Sequence, residues 1–450
     1  MNALNRALCL LVLPFSFIAH AQAASSWDGK KPVDYILTVE ADRPDAVYKQ
    51  GESVPFKITL QHLQQAAGSE EVSWRLTKDG VLPPMQEGKV TLTAGAATVT
   101  GTLKEPGFLQ CQVTFKDGTT AYVATGGAGI DPFAIKPSMP CPDDFDAFWD
   151  AKKKLLAAVP INPRLTSVPV PAGRPPGIEC FDLQADCIGA PVSGYYSRPV
   201  GAKPGTCPAR LYVDGAGVRN SDLLASARWA GRGVISLAIN AHGIANGQPG
   251  TYYADLANGA LKNYRIDGRE SRDTYYFLGM YLRVLRGLDF LATQPEWDGR
   301  TLIIEGGSQG GAQSIAGAAL DHRVTFITAM NAAMCDHTGM VAGRIAGWPK
   351  VIPVKDGTPD PVVLQAVRYF DSVNFASRVK AQVYTWEGFI DTTCPPTGVF
   401  AAYNQITSTK EMIPAVDSTH SIDGMKLWPA VAAAEQKHID EQAKKFAATH

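Results

Sequence analysis

The chain has 450 residues, 45% of them hydrophobic and 19% charged, with 42 Lys and Arg against 43 Asp and Glu for a formal net charge of −1. That length leaves room for two or three domains with sizeable cores. A balanced charge, without a basic excess or a long block of one sign, excludes nucleic acid as the main partner, because phosphate binding needs concentrated Lys and Arg.

In chain order, the first segment has the form of an export signal. Arg6 supplies a positive start, Ala7 to Ala19 is almost wholly apolar, and Ala21-Gln22-Ala23 fits an A-x-A cleavage site. Residues 1–23 are therefore expected to be a signal peptide and the mature protein to be secreted or periplasmic. The apolar stretch is too short to span a membrane, and no other segment approaches ~20 apolar residues. The eight cysteines become seven once Cys9 leaves with the signal, which leaves at least one thiol unpaired or intermolecular. Cys180 and Cys187, close in sequence, are a candidate disulfide. No C-x-x-C pair exists, so a cysteine zinc site is not expected.

Residues 33–133 have their own texture. Short β-rich runs such as Ser53 to Leu60, Val72 to Thr77 and Gly107 to Phe115 recur between turn signals such as Gly51, Asp79-Gly80 and Asp117-Gly118. That spacing predicts a small all-β sandwich of about 100 residues, immunoglobulin-like in architecture although the Cys…Trp…Cys signature is missing. Residues 134–142 read as a proline-rich linker. A helix follows, with Asp143, Asp144 and Asp146 at its positive end and Phe145, Phe148, Trp149 and Leu156 along its apolar side.

From about residue 175 strand-like and helix-like segments alternate. Ala209 to Val213 and Gly233 to Ile239 have the near-continuous apolar character of buried parallel strands. A helix is predicted over Asp273 to Thr293, and further strands over Val324 to Met330, Ala381 to Trp386 and Met412 to Val416. A last helix is expected over Trp428 to Ala448. The alternation predicts an α/β domain over 143–450 with a mainly parallel central sheet.

Within it, Gly306-Gly307-Ser308-Gln309-Gly310 fits G-x-S-x-G between the strand-like Arg300 to Glu305 and the helix-like Gln309 to Leu320. In a nucleophile elbow a serine sits on a strained strand-to-helix turn, and glycines at positions such as 306 and 310 let strand and helix approach closely. Such a serine needs a histidine base oriented by an acid, in the chain order Ser, acid, His. Of eight histidines, His420 lies where the base belongs, in a polar turn after a strand and before the last helix; His337 is the other one that remains. For the acid, Asp391 follows the strand 381–386 and Asp336 the strand before it. Asp417 is so close to His420 that a turn role suits it better.

These segments resemble the acetyl xylan esterase and cephalosporin-C deacetylase family (carbohydrate esterase family 7) of the α/β-hydrolase superfamily. The resemblance lies in Gly306 to Gly311 with the Ala-rich run after it, in Gly388-Phe389-Ile390-Asp391 with Cys394-Pro395-Pro396 and Val399 to Asn404, and in Asp143 to Trp149. It covers about residues 137–447, implies Ser308, Asp391 and His420 as triad, and favours Asp391 over Asp336. Two departures stand out. The family's Arg-Gly-Gln motif is replaced by Asn240-Ala241-His242-Gly243-Ile244, and its His-Gly-Tyr by Asp214-Gly215-Ala216. A backbone N–H needs no particular side chain, so Ala216 remains a candidate oxyanion donor beside Gln309. The lost motif and the added β-domain count against the family's hexameric assembly, while a smaller homo-oligomer stays open.

The resemblance implies an exported serine esterase that removes acetyl groups from carbohydrate such as xylan through an acyl-enzyme, with no metal or other cofactor. Two alternatives stand beside it: an α/β-hydrolase acting on another ester or a peptide, and an inactive carbohydrate-binding protein. His242, Tyr252 and Tyr253 are candidates for a sugar-binding wall, together with the nearby Tyr264, Tyr275 and Tyr276. The commoner fate of such tyrosines is packing beneath a loop, and His242 can equally be a hydrogen-bonded loop histidine.

Overall fold

A computed structural model describes residues 34–174, 176–420 and 424–449, so the signal-peptide segment lies outside the described residues. Strands of alternating burial build the first part of the chain. Val54–His62 buries Val54, Phe56, Ile58 and Leu60 and turns the residues between them outward, the period of two that lets one face of a sheet go dry. Two sheets result. One has four strands, among them Tyr35–Ala41, Val54–His62 and Ala96–Gly101; the other has five, among them Glu71–Lys78, Gln86–Thr91, Gly107–Asp117 and Thr120–Ile130. Their facing sides share one apolar core that includes Val39, Phe56, Ile58, Val72, Leu76, Leu109, Cys111 and Val113.

The remainder is built on a nine-stranded sheet. Its spatial order is Arg164–Val168, Ile178–Ala185, Val192–Pro199, Ile235–Ile239, Cys207–Val213, Trp297–Gly307, Phe326–Met330, Gln382–Gly388 and Lys410–Ala415. The first three strands pair antiparallel; from Ile235–Ile239 onward every pairing is parallel. Central parallel strands such as Ile235–Ile239 and Phe326–Met330 are buried on both sides, which explains their continuous apolar sequences. Helices Phe145–Ala157, Phe277–Thr293 and Gln309–Leu320 cover one face; Leu223–Ala230 and Gly424–Thr449 cover the other. No helix among the described residues is long and apolar enough to cross a membrane.

Two expectations need correction. The helix predicted from Asp273 begins at Phe277. Thr274 Oγ1 donates to the carbonyl of Gly268 and Tyr275 Oη to that of Arg265, so these residues are tied into the preceding loop instead of opening the helix. Cys180 and Cys187 do not pair: both are free thiols. Cys180 lies within the extended strand Ile178–Ala185, and at ~3.3 Å per residue the separation along it far exceeds the reach of a disulfide.

Beneath the Gly424–Thr449 helix, the fully buried Arg210 is paired with Glu305 of the neighbouring strand and lies 3.4 Å from Glu435 of the helix. One guanidinium thus offsets two buried carboxylates and fastens the last helix to the sheet. Arg210→Met would leave both without a counter-charge, a change of about 3–5 kcal/mol. A melting-temperature fall on the order of 5–10 °C is expected by circular dichroism, and an unchanged melting temperature would contradict this role.

Candidate active site

Ser308 sits where the central strand Trp297–Gly307 turns into the helix Gln309–Leu320. Its backbone is strained, at φ 57° and ψ −121°. The turn is possible only with glycine on both sides. A Cβ at Gly306 would lie 2.4 Å from the Gly310 carbonyl oxygen, and one at Gly310 would lie 2.2 Å from that of Val213. The strain lifts the Ser308 hydroxyl off the end of the sheet toward His420.

His420 and Asp391 arrive from the loops after the last two strands. His420 Nε2 is 3.0 Å from Ser308 Oγ, and His420 Nδ1 is 2.7 Å from Asp391 Oδ2. Asp391 is fully buried while His420 keeps about a quarter of its side chain exposed. The other Asp391 oxygen accepts the backbone N–H groups of Thr393 and Cys394, at 2.7 and 3.0 Å. With one oxygen held by the backbone, the second is fixed on the imidazole. Serine, imidazole and carboxylate in line can draw the proton from the hydroxyl and make it a nucleophile.

Asp336, the competing acid, is engaged elsewhere. Its carboxylate accepts from the Ser138 backbone and hydroxyl and from Arg344. His337 is buried, and burial lowers its pKa to about 4. Glu387, at the end of the strand before Asp391, is buried without a hydrogen-bond partner. Burial, and then the charge of Asp391, raise its pKa well above the usual range, so it stays neutral and adds no second charge beside Asp391. Ligand atoms of Asp391, Cys394 and His420 lie within 4.8 Å of one another. Two of the three are committed to the relay and burial holds the Cys394 thiol protonated, a set suited to moving a proton more than to holding a metal.

The loop after the strand Cys207–Val213 runs beside the elbow: a Cβ at Gly215 would be 3.9 Å from Ser308 Cβ. Its carbonyls are each tied back. Arg219 is bound to Asp214 at 2.7 Å and donates to the carbonyls of Gly215 and Ala216 at 2.9 and 3.0 Å. Gln313 Nε2 donates to the Asp214 carbonyl at 3.2 Å. His242 lies beneath, 3% exposed, with Nε2 3.1 Å from the Gly217 carbonyl and Nδ1 2.8 Å from Tyr276 Oη. A carbonyl only accepts, so Nε2 carries the proton and Nδ1 accepts from the tyrosine. Burial lowers the His242 pKa to about 4, which keeps it neutral. His242 therefore supports the loop from below; with both nitrogens engaged it has none left for a substrate.

Tyr253 is likewise spent on the loop, donating to the Ala245 carbonyl at 2.9 Å, and Tyr252 stacks edge-on against it. No contact brings either tyrosine to Ser308 or His420. Tyr264 and Tyr275 are buried and Tyr276 is half-buried, and Tyr264 Oη donates to Gln309 Oε1 at 2.9 Å. Sequence reasoning missed Arg219 and Gln313, which hold loop carbonyls, whereas Tyr264 and Tyr276, named as wall candidates, instead hold the neighbouring side chains of Gln309 and His242. Arg219→Ala is expected to free the loop and lower kcat by up to ~10²-fold with KM little changed, to be read from steady-state kinetics.

The β-sandwich packs directly on the loop that carries Asp391. Gln110 Nε2 donates to the Phe389 carbonyl at 3.2 Å, Thr397 Oγ1 donates to Asp79, and the Phe108 ring meets those of Phe389 and Phe400. Gly127 lies so close to Phe389 and Ile390 that a Cβ there would come within 2.9 Å of both. Burial raises the Asp79 carboxyl to about 6 from 3.8. The folded protein thus keeps a proton that the unfolded chain releases near pH ~4. Stability is expected to fall as pH rises from about 4 to about 6, with no further loss from this group above that range, by at most about 1.4 kcal/mol per pH unit. Melting curves of the wild type and Asp79→Asn across that range check it: the difference between them should depend on pH.

A strained serine at the crest of a largely parallel sheet, with histidine and aspartate supplied by later loops, defines a hydrolase of the α/β-hydrolase kind. Residues 134–426 match the acetyl xylan esterase (AXE1) family model. The acetyl esterase Axe7A of Xylanibacter ruminicola is 32% identical over 386 residues, 84% of this chain and 85% of that protein. The chain belongs to the acetyl xylan esterase family. Among solved structures, an acetyl xylan esterase from a Paenibacillus species is 27% identical with a TM-score of 0.59, covering 69% of this chain and 98% of that one. Acetyl xylan esterase 1 of a Thermoanaerobacterium species, 24% identical with a TM-score of 0.54 over 64% of this chain and 92% of its own, shares the fold.

Proposed function

We propose that this protein is an exported serine esterase that removes acetyl groups from acetylated xylan or xylo-oligosaccharides. The observation that carries the reading is the line Ser308–His420–Asp391, with both hydrogen bonds in place, in a member of the acetyl xylan esterase family. Ser308 Oγ attacks the acetyl carbonyl carbon as His420 Nε2 takes its proton, and Asp391 stabilises the imidazolium. The N–H groups of Gln309 and Ala216 receive the oxyanion, each worth roughly 10²–10³ in rate. Collapse expels the sugar oxygen, which takes the proton from His420 and leaves acetyl on Ser308. Water, activated by the same histidine, releases acetate.

Export rests on the sequence of residues 1–23 and suits a polymeric substrate that cannot enter a cell. We also assign residues 33–133 as an immunoglobulin-like β-sandwich, 134–142 as its linker and 143–450 as the catalytic domain; the two facing sheets with a common core support this division. The test of the activity is acetate release from acetylated xylo-oligosaccharides, with Ser308→Ala protein as blank. Release by the wild type alone is expected. No release from either protein would remove the substrate from the reading.

A further inference from the structure

Between the β-sandwich and the loops of Asp391 and His420 lies a groove of about 430 Å³ that the triad does not use. Its first wall is the outward side of the five-stranded sheet. The strand register sets Arg75 opposite Gln112, and Gln112 opposite Thr125, so three polar side chains stand in a row across three neighbouring strands. Lower on the same face the sheet is closed off by Phe389 and Ile390, as described above. The groove begins where that contact ends.

The second wall belongs to the active-site loops. Ile390 and Thr392 flank Asp391 on either side, and Thr419 precedes His420. The third is the strand Tyr35–Ala41, which pairs on one edge alone, with Val54–His62. Residues 36–40 of that strand line the groove, and its second edge pairs with no strand, although Gly126 packs against the Val39 carbonyl. A second opening of about 430 Å³ shares Arg75 and Gln112 and carries the polar face on past Ser73 and Lys89. The lining is thus an extended strip, longer than a single small molecule requires.

Its chemistry is selective. The Arg75 guanidinium has no ion-pair or hydrogen-bond partner among the described residues. A free guanidinium adds five N–H donors to amides and hydroxyls that both donate and accept. Yet Glu40 and Asp417 also line the groove, two carboxylates against one guanidinium. That balance disfavours a polyanion and suits a neutral chain rich in hydroxyl groups, which donate and accept alike.

We infer that this groove binds the glycan chain of the substrate, several sugar units of a neutral polysaccharide laid along the β-sandwich beside the active-site loops. The inference rests on the carbohydrate reading of the triad. It gives the β-sandwich, which lies outside the family model starting at residue 134, a part in substrate capture.

The test is calorimetric titration of Ser308→Ala protein with unacetylated xylo-oligosaccharide, which carries no acetyl group to turn over. Saturable binding is expected, weakened at least ~10-fold by the double substitution Arg75→Ala/Gln112→Ala, which removes several hydrogen bonds. Thr125→Val, nearly isosteric, gives a second variant whose folding is not in question and should weaken binding to a smaller degree. Equal affinity in the parent and the variants would overturn the proposal. So would the lack of any heat at millimolar sugar. Acetate release is measured separately: binding without release would defeat the deacetylase reading and leave the groove standing, whereas release without binding would do the reverse.

Discussion

Replacing Ser308 by alanine is expected to lower kcat for acetyl ester hydrolysis by on the order of 10⁶-fold, close to the loss seen when a whole serine triad is removed. The size follows from the geometry. The hydroxyl stands 3.0 Å from His420 Nε2 at the top of a strained turn, and no other nucleophile bonded to that imidazole is present among the described residues. Alanine keeps the backbone and the packing of the elbow, so the protein should fold as before. What residual rate remains would come from the oxyanion donors and from binding. Steady-state kinetics with circular dichroism as the control decide it, and a loss of less than about a hundredfold would place the chemistry elsewhere.

Asp391→Asn is expected to cost about 10⁴-fold in kcat with little effect on KM. Asp391 Oδ1 accepts two backbone N–H groups, from Thr393 and Cys394. In the variant the amide oxygen must stay on those donors, which turns the NH₂ group toward His420. An NH₂ group only donates, so Nδ1 becomes the acceptor and the ring proton moves to Nε2, the nitrogen facing Ser308. The base is then blocked by its own proton. A variant retaining more than a tenth of wild-type kcat would mean that Asp391 is a structural residue and that His420 needs no orienting partner.

The Ser308–His420–Asp391 line was legible from the glycine-flanked serine, from the chain order of its partners and, for Asp391 over Asp336, from the family resemblance. Ser308 is marked by glycines whose absent Cβ atoms the structure shows to be required. Asp391 and His420 each follow a recognisable strand in the expected order. The central parallel strands were legible because burial on both sides makes them continuously apolar. The strand Val192–Pro199 was not, because its buried residues include Ser193, Gly194 and Ser197. There the sheet needs small side chains: a Cβ on Gly194 would fall 2.5 Å from the Ala238 carbonyl oxygen.

What stayed hidden shares one property, contact across long stretches of chain between residues of ordinary type. Gln110 and Phe389 are 279 residues apart, and no spacing rule links an amide in a β-rich segment to the carbonyl of an acid loop. The same holds for Tyr264 and Gln309, and for Arg210 with Glu435. His242 illustrates the limit from the other side. Its sequence neighbourhood allowed either a ligand contact or a hydrogen-bonded loop histidine, and only the positions of Gly217 and Tyr276 decide between them.

The central claim is that acetyl passes from a sugar oxygen to Ser308 and then to water. It is tested most directly by rapid acid quench of the enzyme mixed with acetylated xylo-oligosaccharide, followed by peptide mass mapping. The account predicts one added acetyl group on the peptide that contains Ser308, formed before steady-state acetate release and lacking in Ser308→Ala. Acetate release without any acetyl on Ser308, or with acetyl on a different residue, would contradict it.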